Sequence, residues 1–306
     1  MNKQGKQEIP ELGGIGVWLG FSFGIMASIF LYSYLNFFRL DLSVLLAAFT
    51  TVIMVGFIGL IDDLIGWKVG IKQWQHALLP VFAALPLMAV SISNPPTQIP
   101  FLGFAPSEIF IPLLGLVSFT VIYSLFYIPV GITGAANAAN MLAGFNGLEA
   151  GMGILISLTL AVISLLLGKP EPLILSIALL GALSAFILFN WFPAKVFGGD
   201  TLTLMIGATI AAAVIIGDME KIGIALFALY FIEFLIKAKH KFKSECFGIP
   251  QKDGTLKANP KGGSITHLIM RLGRFTEQQV TLLILGLQAL VCISVFYMFL
   301  NGFAVI

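Results

Sequence analysis

Two carboxylates stand side by side where an apolar run ends: Asp62 and Asp63, in the stretch Gly59-Leu-Ile-Asp-Asp-Leu-Ile-Gly-Trp-Lys-Val-Gly-Ile-Lys72. Ionisable groups at membrane depth are costly to keep and are functional candidates by default. Carboxylate oxygens bind hard cations such as Mg²⁺, usually one or two of them together with substrate phosphates. A carboxylate can also serve as a general base. The plainer reading is a solvated pair that merely ends a helix, and an Asp-Asp pair alone is a weak signal. Lys72, nine residues past Asp63, is placed to reach a phosphate; Lys68 reads equally well as a topology anchor.

Three further segments carry unusual polarity. Asn137-Ala-Ala-Asn-Met-Leu-Ala-Gly-Phe-Asn-Gly-Leu-Glu-Ala-Gly151 holds three asparagines and one glutamate within thirteen residues. Asn137 and Asn140 are three apart and share one side of a helix, while Gly144 and Gly147 permit close backbone approach or a positive φ. Inter-helix hydrogen bonding by Asn among small residues would need fewer polar groups. Phe197-Gly-Gly-Asp-Thr201 opens an apolar helix, where Asp200 reads as ordinary capping or as a metal holder beside a phosphate drawn to the helix N-terminus. The basic stretch 239–278 suits anionic lipid headgroups or a phosphorylated substrate. Of the three histidines His267 is best placed for chemistry; His76 and His240 read as interfacial.

These residues must be positioned by a membrane scaffold. The chain has 306 residues, 58% hydrophobic and 10% charged, with a mean hydropathy of +0.99; soluble domains carry about 25% charged residues. With about 20 apolar residues per span, the stretches 14–38, 43–61, 76–93, 109–139, 151–168, 173–191, 201–217, 222–238 and 279–301 predict an all-α polytopic bundle of about nine transmembrane helices. The count becomes ten if the long fourth stretch divides near Pro129, Gly131 and Gly134. The Pro-rich connector 93–108 reads as a short hairpin. No secretory leader precedes the first span, and no linker divides residues 1–306, which read as one domain. Cys246 and Cys292 read as unpaired thiols.

With the N-terminus inside, fourteen of the seventeen Lys and Arg fall in inner loops, and only Arg39, Lys169 and Lys221 lie outside. The positive-inside rule favours that orientation, and an odd number of spans puts the C-terminus outside. The same topology brings Asp62–Lys72, Asn137–Glu149, Phe197–Thr201 and loop 239–278 to one cytoplasmic face of a multi-pass cell-membrane protein. That set suits a metal-dependent reaction at a diphosphate with one reactant dissolved in the bilayer, since phosphoryl transfer needs mainly positioning and charge neutralisation. Nothing points to nucleic acid.

The Asn137–Gly151 segment closely resembles the signature of the polyprenyl-phosphate N-acetylhexosamine-1-phosphate transferases, in their eukaryotic-type branch of dolichyl-phosphate N-acetylglucosamine-phosphotransferases. Ile9-Pro-Glu-Leu-Gly-Gly14, the Asp62-Asp63 segment and Phe197–Thr201 match other motifs of that family in the same order, over nearly the whole chain. Compact size and short loops resemble an archaeal member. The resemblance implies transfer of a sugar 1-phosphate from a UDP-sugar to a polyprenyl phosphate, releasing UMP. It implies Mg²⁺, with Mn²⁺ an alternative, on Asp200 and Asn140. It places Lys72 on the diphosphate and Asp62 or Asp63 at the lipid phosphate. Asn146 and Gly144 would contact uracil, Phe197 would stack on it, and Glu11 and Asn137 would lend polar support. A homodimer is compatible with it.

Two departures stand out. Members of that family carry one more span ahead of the Ile-Pro-Glu motif, near which this chain begins, so an upstream stretch or a helix is expected to be missing. Their inner loop carries a His/Arg-Ile-Pro-Arg element where this chain reads Phe247-Gly-Ile-Pro-Gln251; Lys252, Lys257, Lys261 or His267 would compensate, or the sugar would differ. Undecaprenyl phosphate or another UDP-sugar, serving a cell-wall polymer, is the neighbouring alternative. A transporter using buried carboxylates is the alternative of another class, disfavoured because transporter sites lie near the midplane, often between internal repeats. Asp200→Asn and Lys72→Ala are each expected to abolish UMP release while the purified protein keeps its elution profile in detergent; full turnover in either would remove that residue from the site.

Overall fold

The computed structural model describes residues 9–35, 39–66, 73–91, 98–99, 103–104, 106–112 and 115–302. It is mostly helical, as expected. The long helices are α1 (Gly14–Leu35), α2 (Leu42–Ile65), α6 (Ile128–Met141), α7 (Leu148–Leu166), α8 (Pro170–Asn190), α9 (Gly199–Ile216) and α13 (Glu277–Leu300). A short α5 (Phe119–Ile122) and a π-helical turn, Tyr123–Tyr127, run into α6 to make one span, Phe119–Met141. Among the described residues seven helices are thus long and apolar enough to cross a membrane, or eight where the bent pair α3 (Gln73–Ala83) and α4 (Leu85–Ser91) is counted as one span. The eighth expected span, 222–238, is instead two shorter helices, α10 (Glu220–Leu226) and α11 (Ala228–Lys239), meeting at Phe227.

The fourth span is shorter than its apolar stretch. Strands β3 (Glu108–Ile111) and β4 (Gly115–Ser118) pair antiparallel, with Gly115 at φ +77° opposite Ile111. The connector before them contains the two-residue strands β1 (Gln98–Ile99) and β2 (Gly103–Phe104), also antiparallel. Pro129 leaves α6 continuous: its missing N–H cannot serve the preceding turn, and the π-helical turn lies directly upstream. Loop 239–278 carries a three-stranded sheet in the order β5 (Ile249–Pro250), β6 (Thr255–Lys257), β7 (Phe275–Thr276), and helix α12 (Ile265–Leu272).

The centre of the bundle is α9, buried without interruption from Thr201 to Val214. A helix apolar on all sides belongs in a core, and α9 packs against α1, α2, α6 and α8. Small residues set these approaches, since helix association in lipid depends on close packing rather than hydrophobic drive. A Cβ on Gly207 would lie 2.2 Å from the carbonyl oxygen of Ala135, and one on Gly59 would lie 2.5 Å from that of Asp200. Gly207→Val is therefore expected to destabilise the α6–α9 contact by roughly 1–3 kcal/mol, read as a lower melting midpoint in detergent. Gly181→Ala, where a Cβ meets nothing within 4 Å, is expected to leave the midpoint unchanged.

Candidate active site

The polar segments meet at one end of the bundle, where α2, α6 and α11 end and α7, α9 and α13 begin. Chain segment 10–14 lies along residues 197–198: Phe197 N–H donates to Pro10 O (2.8 Å), Gly13 N–H to Phe197 O (2.8 Å) and Gly14 N–H to Gly198 O (3.0 Å). These bonds hold Glu11 beside Asp63; burial first, and then the Asp63 charge, raise the Glu11 carboxyl above the usual carboxylate range.

Asp62 and Asp63 have divided roles. The Asp63 carboxylate accepts from Asp200 N–H (2.7 Å), Thr201 N–H (2.9 Å) and the Thr201 hydroxyl (2.6 Å), so a residue of α2 caps the start of α9. Gly199 sits at φ +65°, and a Cβ there would fall 2.5 Å from the Asp63 oxygens. Asp62 instead points at His76, whose Nε2 lies 3.2 Å from Asp62 Oδ2 and 3.4 Å from Asp200 Oδ2. One ligand atom from each of Asp62, His76 and Asp200 falls within 4.8 Å of the others. Asn140 lines the same cavity as Asp200. Two carboxylates, an amide and an imidazole are a donor set that fits a divalent cation, with oxygen suiting Mg²⁺ and the imidazole admitting Mn²⁺. Asn137 supports this cluster by donating to the carbonyls of His76 (3.2 Å) and Thr133 (2.8 Å), which fastens α3 to α6.

From this cluster a cavity of about 1890 Å³ extends. Its polar end includes Glu11, Asn137, Asn140, Gly144, Phe197 and Asp200; its long arm is walled by apolar faces of α6, α9, α10 and α11. Lys237, Lys241 and Lys243 line the loop side.

Residues 45–218 match glycosyl transferase family 4. The chain belongs to that family. It is 37% identical over 295 residues to a Sulfolobus acidocaldarius protein provisionally named UDP-N-acetylglucosamine–dolichyl-phosphate N-acetylglucosaminephosphotransferase, an alignment covering 96% of this chain and 84% of that one. A Saccharolobus solfataricus protein of the same provisional name is 36% identical over 292 residues, covering 95% and 84% of the two chains. The UDP-N-acetylglucosamine–dolichyl-phosphate N-acetylglucosaminephosphotransferase of Dictyostelium discoideum is 26% identical over 332 aligned positions, covering 95% and 78%. The resemblance drawn from the Asn137–Gly151 segment is thereby borne out at the level of the family.

In this family 4 glycosyl transferase the remaining sequence-derived residues fall in different places. Lys72 and Lys68 lie outside the described residues. Gly144, at φ +98°, is covered by the Phe247 ring, 2.4 Å from where a Cβ would stand. Asn146 is buried, with both amide atoms unpartnered among the described residues, and does not line the cavity; its N–H donates to Glu277 Oε1 (3.0 Å). Lys261 sits on an exposed turn away from the cavity. His267 is buried, and its Nε2 contacts Phe247 O at 2.9 Å. Burial holds its pKa below the usual histidine value, against the Phe247 hydrogen bond that raises it. His267 thus fixes the loop, and neither it nor Lys261 reaches the cavity; Lys241 and Lys243 stand there instead.

Several residues escaped the sequence reading. His76 was expected to be merely interfacial, and the fold of α3 against α6 turns it into the carboxylate cluster. Glu233 is fully buried; its Oε2 accepts from Ile265 N–H (2.7 Å) and the Ser264 hydroxyl (3.1 Å), while Lys237 Nζ lies 3.6 Å from its Oε1. This ties loop 239–278 to α11. Asn190 joins Gly147 N–H (3.0 Å) to Val196 O (2.9 Å) and so links the Asn-rich and Gly-Gly-Asp segments. The available signal was a charged or amide residue within an otherwise apolar run. Asp63→Ala is expected to cost about 1–2 kcal/mol as a lost helix cap, seen as a lower melting midpoint. Asp62→Asn, which removes one of two facing carboxylates, is expected to leave the midpoint unchanged or higher; the reverse order would interchange the two roles.

Proposed function

We propose that this glycosyl transferase moves N-acetylglucosamine 1-phosphate from UDP-N-acetylglucosamine to a dolichyl or related polyprenyl phosphate and releases UMP, on the cytoplasmic face of the cell membrane, with the N-terminus inside and the C-terminus outside. The observation that carries this reading is the junction of the Asp62–His76–Asn140–Asp200 cluster with a long apolar groove: charge-handling groups at one end, room for a lipid chain beyond. The names of the relatives support the choice of donor and acceptor.

In the reaction an acceptor phosphate oxygen forms a bond to the sugar-side phosphorus of the donor, and the bond from that phosphorus to the bridging oxygen breaks, so UMP departs with the electron pair. Two anionic phosphates must meet, and a Mg²⁺ ion held by Asp200, Asn140 and Asp62 would screen them. Asp62 faces the cluster and positions the acceptor phosphate or takes its proton; Asp63 is committed to α9 and positions Asp200. His76 orients both carboxylates. Lys237, Lys241 and Lys243, with Lys72, supply positive charge to the diphosphate. Phe197 and Gly144 border the space for uracil.

The test is turnover by purified protein in detergent given UDP-N-acetylglucosamine, dolichyl phosphate and Mg²⁺. Release of UMP that stops with a chelator and returns with Mg²⁺ or Mn²⁺ is expected. Turnover only with another UDP-sugar, or with undecaprenyl phosphate alone, would move the assignment within the family. No release with any donor would refute it. A cysteine replacing Lys257 should react with an impermeant thiol reagent only from the cytoplasmic side.

A further inference from the structure

The groove has a built end. On α6 and the π-helical turn its wall runs from Asn140 through Asn137, Gly134, Gly131 and Tyr127 to Tyr123. On α11 and α10 it runs from Lys237 through Phe234, Phe231, Phe227 and Ile224 to Glu220, and on α9 from Asp200 through Thr203, Ile210 and Ala211 to Val214 and Ile215. All three ladders descend from the charged cluster to one place, where the Tyr123 hydroxyl donates to Glu220 Oε1 at 2.5 Å across 97 residues of sequence. From Asp200 to Val214 the depth is about 21 Å at about 1.5 Å per helical residue, short of the roughly 30 Å hydrocarbon core.

Two features suit this groove to a hydrocarbon chain. Gly131 and Gly134, three apart on one face, line it with bare backbone; a Cβ on Gly134 would meet nothing within 4 Å, and one on Gly131 only Ile215 Cδ1 at 3.5 Å. Helix-interior glycine costs roughly 1 kcal/mol relative to alanine, and no close helix contact requires it at these two positions. The groove is also open sideways: Val130 and Phe231 line it and are 54% and 61% exposed, as expected of a slot that a bilayer-dissolved chain enters laterally.

We propose that the Tyr123–Glu220 pair is the end wall of the acceptor's chain site and that Gly131 and Gly134 set its width, so the enzyme measures the first portion of the polyprenyl chain and returns the rest to the bilayer. Tyr123 and Glu220 are specificity-determining residues. This rests on the transfer reading above, and it adds a chain-length rule to it.

The experiment uses full-length protein in nanodiscs with Mg²⁺, UDP-N-acetylglucosamine and polyprenyl phosphates of increasing isoprene number. The native kcat/KM is expected to climb with chain length and then level off. Gly131→Leu fills the groove partway down and is expected to lower the ratio of long-chain to short-chain kcat/KM at least tenfold. The double variant Tyr123→Phe, Glu220→Ala opens the end and is expected to move the levelling-off point to longer chains. A polyprenyl phosphate bearing a diazirine at its terminal unit, of the length at which the native curve levels, is expected to label the peptides holding Tyr123 or Glu220 in native protein. Length profiles that only scale up or down in both variants, or labelling spread over the lipid-facing surface, would overturn the end wall and spare the transfer reading. Labelling at Tyr123 or Glu220 without UMP release would refute the transfer reading and support the groove.

Discussion

One carboxylate holds this arrangement together. Asp63, at the last turns of α2, accepts three hydrogen bonds from the first residues of α9. Inside a bundle the unpaired N–H groups at a helix start must find partners, and a negative charge there is favoured by the helix dipole. The geometry is possible only because Gly59 lets the two backbones approach and Gly199 leaves room for the Asp63 carboxylate. Asp200 is thereby placed beside Asp62, and the α9 axis is set against α2 at the level where the groove begins.

The loop end has its own anchor. Glu233 is buried in α11 and engages Ser264 and Ile265 at the start of α12. A buried charge demands partners, and these partners draw a basic, polar loop onto the bundle. As a result Lys241 and Lys243 border the cavity. His267 then holds the backbone of Phe247, whose ring lies over Gly144. Near the divergent residues 247–251 it is thus Lys241 and Lys243 that line the cavity, while Lys252, Lys257, Lys261 and His267 do not.

Much of the fold was legible because lipid imposes a simple rule. Backbone polar groups must be satisfied within the segment, so long apolar runs read as helices with little ambiguity, and α1, α2, α7, α8, α9 and α13 appear close to their expected bounds. The exceptions are physical. The apolar stretch 109–118 contains Pro112 and Gly115, and its residues 109–111 and 115–118 are antiparallel strands rather than helix. Residues 220–239 are interrupted at Phe227 and carry Glu233 and Lys237. Apolar content alone does not distinguish these from a continuous span.

The sequence by itself determined the membrane class, the approximate helices, and the candidate residues Asp62, Asn140 and Asp200, because charges and amides are costly in apolar runs wherever the chain folds. Tertiary structure alone decided which of two adjacent aspartates caps α9 and which faces the cluster, since neighbours on a helix point about 100° apart and only the packing partner tells them apart. It also brought in His76, dismissed His267 from the cavity, and closed the groove with Tyr123 and Glu220. Each of these joins residues far apart in the chain, and side-chain spacing along one segment carries no information about which other segment it will meet.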